Sequence, residues 1–71
     1  MKLAEFDMQM FLMGFHKTGH ARMETYKNNE YTVNRDKDKN TISVIQFKDG
    51  RYNNHINTRE FHTAIEYLLE H

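Results

Sequence analysis

The sequence predicts an α+β fold: an N-terminal helix, an antiparallel meander of three or four strands, and a C-terminal helix packed on the sheet. Residues 2–17 and 58–70 carry apolar side chains at helical spacing. The segment between them is dense in β-branched and aromatic residues and is interrupted by turn-forming pairs. The chain has 71 residues, so a single domain over residues 1–71 is expected.

The first helix is expected over residues 2–17. Its predicted buried stripe consists of Leu3, Phe6, Met10 and Met13. From residue 8 to residue 15 the helix is apolar almost all round, which indicates cover on more than one side. A homodimer through this helix is one alternative, and Met10→Asp or Met13→Asp is then expected to give a folded monomer. Gly14 weakens the last turns, and Gly19 is expected to end the helix because glycine takes the left-handed conformation without strain.

Strands are expected in the middle of the chain. The candidates are residues 21–26, 30–34, 41–47 and 51–56. Asn28-Asn29 predicts a two-residue turn, and Asp49-Gly50 is the strongest hairpin signal in the chain.

The last candidate strand leads into the second helix, expected over residues 58–70. Strict alternation along the strand would put Tyr52 and Ile56 on one face and His55 on the other. Asn57 or Thr58 is expected to cap the helix, since Glu60 follows Asn57 at the spacing of a capping box.

The charge balance excludes some functions. Lys and Arg together number 10, as do Asp and Glu, so the formal net charge is zero. A general nucleic-acid binder needs a basic surplus and a DNA mimic an acidic one, so direct nucleic-acid binding is not expected. No run approaches the ~20 apolar residues of a membrane span, and the first residues lack a signal-peptide pattern, so a cytoplasmic location is expected.

Histidine is abundant, with five residues, while cysteine is absent. A small domain without disulfides often depends on a metal or a partner subunit for stability. Zinc binds neutral imidazole, usually with four ligands in structural sites. The candidate zinc ligands are His16, His20, His55 and His62. Four ordinary surface histidines remain the alternative, and the spacing does not decide between them.

A binding function is expected rather than an enzymatic one, because no nucleophile motif, phosphate loop or paired-carboxylate motif is found. Tyrosine and arginine are favoured at protein interfaces. The candidate partner-binding residues are Tyr26, Tyr31, Arg51 and Tyr52. Tyrosines that simply pack on strands remain the alternative.

Two resemblances bear on function. Residues 50–70, a strand followed by a capped helix, are similar in layout to the end of the DNA-binding domains of phage-type integrases, which implies a DNA-binding accessory protein as one alternative. The small size, the composition rich in Lys, Asn, Ile and Tyr, and the expected fold resemble small phage anti-CRISPR proteins. This second resemblance implies a phage-encoded inhibitor that blocks a host defence nuclease, such as a Cas effector, by steric occlusion.

The last three residues, Leu69-Glu70-His71, match the beginning of a common hexahistidine tag. A tag-derived ending and a natural ending both stay open, because Leu69 also fits the apolar pattern of the second helix.

Overall fold

The computed structural model, which describes residues 1–19 and 21–71, contains one five-stranded antiparallel sheet with both helices on the same face. The strands lie side by side in chain order, so each is joined to its neighbour by a short connection. The predicted α+β fold is confirmed, with five strands. The elements are α1 (Leu3–Leu12), β1 (His16–Gly19), β2 (Met23–Lys27), β3 (Tyr31–Asp36), β4 (Thr41–Lys48), β5 (Arg51–Thr58) and α2 (Phe61–Glu70).

Helix α1 ends at Leu12, and the glycine that stops it is Gly14 rather than Gly19. Gly14 has φ +86°, and its N–H donates to the carbonyl of Phe11 at 3.0 Å. The N–H of Phe15 donates to the carbonyl of Met10, also at 3.0 Å, which completes a Schellman motif. The prediction that the helix reaches residue 17 was therefore wrong, because the earlier glycine already takes the left-handed position. Residues 16–19, most of which the prediction placed in the helix, instead form β1, a strand beyond the four that were predicted.

The residue types in two of the hairpin turns explain their conformations. Asp49 and Gly50 have φ +55° and +78°, and Lys48 pairs with Arg51, so the predicted two-residue hairpin is confirmed. The link between β2 and β3 has three residues rather than two. There the side-chain oxygen of Asn28 accepts hydrogen bonds from the N–H groups of Glu30 and Tyr31, at 2.8 and 2.6 Å.

The strand register divides the sheet into two faces. The inner face, which packs on the helices, includes Tyr26, Val33 and Val44, and these pair across neighbouring strands. The opposite face, called the outer face below, includes a cross-strand row of Thr25, Asn34, Ser43 and Asn57 and a second row of His16, Lys27, Thr32, Ile45 and Asn54.

A β-bulge changes the expected faces of β5. Ile56 pairs with Val44 while Asn54 pairs with Ile45, so His55 is the extra residue. Tyr52 pairs with Phe47, three residues after Val44, and therefore lies on the outer face while Ile56 lies on the inner face. The expectation that Tyr52 and Ile56 share a face was wrong, because one inserted residue reverses the alternation beyond it.

The core joins both helices to the sheet. Phe6 is central: its ring lies edge-on to Tyr26, with centroids 5.3 Å apart, and 4.7 Å from the ring of Phe61. The other buried apolar residues are Met10, Phe15, Tyr31, Val33, Ile42, Val44, Ala64 and Ile65.

Helix α2 begins at Phe61, after Glu60 in the N-cap position. The predicted cap and capping box do not form. Thr58 is the last residue of β5, although its hydroxyl still accepts the Glu60 N–H at 3.1 Å. The Asn57 side chain is engaged on the outer face, where it accepts a hydrogen bond from Ser43 at 2.7 Å.

We expect Gly14→Ala to destabilise the protein because a Cβ atom disfavours the left-handed conformation by roughly 1–2 kcal/mol. Space is not the cause, since nothing lies within 4 Å of a Cβ built at this position. Urea unfolding at an unchanged m-value measures the loss. Gly14→Asn is the matched control and should lose less, because asparagine tolerates this conformation. Equal stability of Gly14→Ala and the parent would contradict the assignment of Gly14 as the helix end.

Candidate interaction surfaces

Helix α1 carries a second apolar stripe that faces away from the core. At 3.6 residues per turn, its residues lie on the side of the helix opposite Phe6 and Met10. Its large side chains are well exposed: 57% for Met8, 71% for Phe11 and 68% for Leu12. We call this set the outer stripe of α1; its members in the helix are Ala4, Met8, Phe11 and Leu12, and Met1, which precedes the helix, lines the same surface depression as Ala4 and Met8.

The two methionines expected to test a dimer interface belong to the packed side instead. Met10 is completely buried, and Met13 is partly buried against the core. Met10→Asp would therefore place a charge in the core and unfold the protein rather than give a folded monomer. Periodicity predicted the buried side of this helix correctly, but only the structure shows that the opposite apolar side stays exposed.

A buried ionic cluster lies where α1 meets the sheet. The Glu24 carboxylate is buried and accepts a hydrogen bond from Arg35 at 2.8 Å, while Lys17 Nζ lies 3.2 Å away. Lys17 also pairs with Asp7 of α1 at 2.9 Å. The Tyr26 hydroxyl lies 2.5 Å from Asp7 Oδ1 and 2.9 Å from Glu24 Oε2, so two carboxylates share its single proton.

The cluster shifts the pKa values of its members. Burial alone raises the pKa of the Glu24 carboxyl, but hydrogen bonds from Arg35, Tyr26 and Lys17 outweigh burial and lower this pKa to about 2. Burial and the two neighbouring carboxylates hold the pKa of Tyr26 well above its usual value. Glu24 therefore stays ionised at neutral pH, and we interpret the cluster as a structural ion network rather than an acid/base pair.

The bulge residue His55 is directed into an aromatic cluster at the other end of the inner face. Its Nδ1 contacts the hydroxyl of Tyr67 in α2, and its Nε2 lies 3.1 Å from the side-chain oxygen of Gln46. Neutral imidazole satisfies both contacts, with Nε2 donating to Gln46 and Nδ1 accepting from Tyr67. The ring of Tyr31 approaches edge-on, with centroids 5.5 Å apart.

The candidate zinc ligands are not brought together among the described residues. His55 is engaged with Tyr67, His62 is exposed on α2, and His16 belongs to the outer face of β1. His20 lies outside the described residues. Within residues 1–19 and 21–71, no three His, Cys, Asp or Glu side chains are grouped as a metal site requires.

The candidate partner-binding residues divide into two pairs. Tyr26 and Tyr31 are buried, with 1% and 8% exposure, so their rings stabilise the core and offer little surface to a partner. Arg51 and Tyr52 are exposed at the β4–β5 hairpin, and Tyr52 is 76% exposed. The ring of Tyr52 packs against that of Phe47, with centroids 4.9 Å apart.

The outer face of the sheet contains a shallow groove of about 340 Å³. Its residues come from four strands and combine hydroxyl, amide, ammonium and aromatic groups. They are Thr25, Lys27, Thr32, Asn34, Ile45 and Tyr52. Of these residues, the sequence predicted only Tyr52 as a binding residue. The bulge in β5 is what places Tyr52 on the same face as Lys27 and Asn34, and the sequence alone does not reveal it.

No protein-family model, curated protein or solved structure matches this chain. Its surfaces therefore have to be interpreted from their own geometry. Neither helix that the structure describes, each of ten residues, is long and apolar enough to cross a membrane.

We expect Glu24→Gln to reduce stability most at neutral pH. Glu24 has a pKa of about 2 in the folded protein against an ordinary value of 4.5, so its stabilisation is present above pH 4.5 and is lost as the pH falls towards 2. The difference corresponds to roughly 3 kcal/mol in the free energy of unfolding. Urea unfolding from pH 7 to pH 2 measures it.

The matched control is Glu66→Gln, which removes an exposed carboxylate from α2. It should change the free energy of unfolding by less than about 0.5 kcal/mol. If Glu24→Gln and Glu66→Gln gave the same pH profile, Glu24 would not stabilise the fold through its charge.

Proposed function

We propose that this chain is a non-enzymatic binding protein that docks on a protein partner through the outer stripe of α1. The carrying observation is that three of the large exposed apolar side chains, Met8, Phe11 and Leu12, lie on one side of this ten-residue helix. An apolar patch of this kind on a small domain is typical of an interaction site. Aromatic residues and methionine are also enriched at the centres of protein interfaces.

The surroundings of the stripe fit an interface. Glu5 and Gln9 are exposed beside it and would form a polar rim. The stripe extends about 15 Å along the helix axis. It would therefore supply the apolar centre of a standard footprint of about 800 Å² per partner, with neighbouring surface completing the area.

The helix that carries the stripe is held rigidly from its other side. Phe6 and Met10 are completely buried, Asp7 pairs with Lys17 of β1, and the Schellman motif fixes the C-terminal end. A preformed surface loses little conformational entropy on binding. This arrangement supports recognition by a rigid helix face.

The more specific part of the proposal concerns the partner and the mechanism. The likeness in size and composition to phage inhibitors suggests a host defence nuclease, such as a Cas effector. Inhibition would be steric: the docked domain would cover a surface that the nuclease needs for loading or cleaving DNA. A net charge of zero argues against charge mimicry of DNA, so partner binding should depend only weakly on salt.

We expect Phe11→Asp to abolish partner binding without unfolding the domain, since its side chain is 71% exposed and a buried charge in the interface would be costly. The matched control is Phe47→Asp, which changes a 61% exposed phenylalanine on the outer face of the sheet. The measurement is inhibition of target cleavage by a purified Cas effector, alongside capture of partners from host lysate and thermal unfolding of each variant.

Loss of both inhibition and capture in Phe11→Asp, with Phe47→Asp unchanged, would support the stripe as the docking site. Inhibition that persists in Phe11→Asp would assign it to another surface. If the protein captures another partner and leaves the effector active, the docking proposal stands and the nuclease proposal fails. Sedimentation as a dimer that Phe11→Asp converts to a monomer would instead identify the occupant as a second copy of this chain.

A further inference from the structure

The groove on the outer face presents hydrogen-bond donors to solvent. The hydroxyl of Thr25 donates to the side-chain oxygen of Asn34 at 2.9 Å. This bond occupies the amide oxygen and leaves the two N–H donors of that amide for other acceptors. Lys27 adds an ammonium group to the same groove. Among the described residues, ion pairs involve Lys17, Arg22, Arg35, Lys37 and His62, so Lys27 has no carboxylate partner there.

None of the ten acidic residues lines this groove. Five of the ten belong to the helices or their ends, and Glu24 is buried on the inner face. Three more, Glu30, Asp38 and Asp49, lie in the connections between strands. Glu30 and Asp49 belong to the two turns at the end of the sheet where Lys27 and Tyr52 lie, but neither lines the groove. Asp36 is the remaining one, and it pairs with Met23 and Thr41 at the end of the sheet opposite Lys27. Although the net charge of the chain is zero, this groove is lined by one cation and no acid.

Aromatic surface completes the site. Tyr52 lines the groove and exposes 76% of its surface, and Phe47 beside it exposes 61%. An exposed ring next to cationic and donor groups is suited to a ligand that is planar, anionic and rich in acceptors. Nucleobases stack on such rings, and their phosphates accept hydrogen bonds from lysine and arginine.

The shape of the sheet favours an unpaired strand over a duplex. Five strands at about 4.8 Å spacing make a surface about 19 Å wide, whereas the DNA major groove is about 12 Å wide. An open sheet cannot enter that groove over its full width. A single strand, in contrast, can lie across it with its bases turned towards the protein.

We infer that the outer face of the sheet binds single-stranded nucleic acid, with a base stacked on Tyr52, a phosphate held by Lys27, and base or sugar acceptors facing Asn34. This function is independent of the protein-docking stripe, which lies on the helical side of the molecule. It differs from the expectation that nucleic acid is not bound directly, which was drawn from the net charge of the whole chain.

The test is fluorescence anisotropy of a labelled single-stranded 12-nucleotide oligothymidine at about 20 mM salt. We expect saturable binding that Tyr52→Ala weakens about tenfold or more and that Tyr52→Phe retains, since stacking needs only the ring. Lys27→Gln should reduce the steepness of the log affinity against log salt plot by about 0.7, the value for one phosphate contact on a single strand.

Matched controls lie on the helical side. Phe11→Ala removes an exposed ring and Lys2→Gln an exposed charge from α1 and its N-cap, and neither should change oligonucleotide affinity. The unlabelled duplex of the same sequence should compete at least tenfold less well than the single strand.

Three results would overturn the inference. They are no binding at about 20 mM salt and 100 µM protein, affinity unchanged by Tyr52→Ala, and equal competition by inorganic polyphosphate. The last would indicate attraction to phosphate without base stacking. Tighter binding of the duplex would assign any nucleic-acid contact to a different surface. Circular dichroism of each variant tests whether it folds. Tyr52 and Lys27 are both exposed, so their substitution is expected to leave the fold intact.

Discussion

The Glu24–Arg35 ion pair is the interaction on which the arrangement of the elements most depends. Glu24 in β2 binds Arg35 of β3 directly and reaches Lys17 of β1 and the hydroxyl of Tyr26. The guanidinium of Arg35 lies over the ring of Phe61 in α2, 5.9 Å from its centroid. A buried carboxylate needs these partners because an unpaired buried charge is very costly. Satisfying it therefore fixes three strands and α2 together.

Covering only one face of the sheet has consequences for both surfaces. The two helices meet each other and the inner face through Phe6, and the core residues all lie on this side of the sheet or in the segments packed against it. The outer face can then remain polar, with threonine, serine and asparagine hydrogen-bonded across strands. A second consequence is that α1 buries one apolar side, with Phe6 and Met10, and leaves the opposite apolar side exposed.

The two proposed surfaces thus use different physical chemistry. The outer stripe of α1 offers apolar area on a rigid helix, for which burial against protein is the natural outcome. The outer groove offers a ring, a cation and oriented amide donors, which suit an anionic and planar ligand. A partner protein and a single strand could be bound together, because the two surfaces do not overlap. For a nuclease inhibitor, contact with an exposed strand beside the nuclease would be compatible with steric occlusion.

Local sequence rules determined much of the fold. Helical spacing located both helices, and the density of β-branched residues located β4. The positive φ demanded at Asp49-Gly50 fixed the last hairpin. The net charge and the absence of cysteine were equally direct consequences of the sequence. These features depend on residues close together in the chain, so no knowledge of distant contacts is required.

Tertiary structure decided the features that couple distant residues. Both Gly14 and Gly19 can end a helix, and the pairing of residues 16–19 with β2 selects the first. Periodicity placed Phe6 and Met10 on the buried side of α1, but only the tertiary structure shows that the opposite apolar side is left exposed by the rest of the described chain. The bulge at His55 reverses the face of Tyr52, because one extra residue can be accommodated only against a specific partner strand. Both proposed surfaces follow from such choices, which is why the sequence alone identified the kind of domain but not its sites.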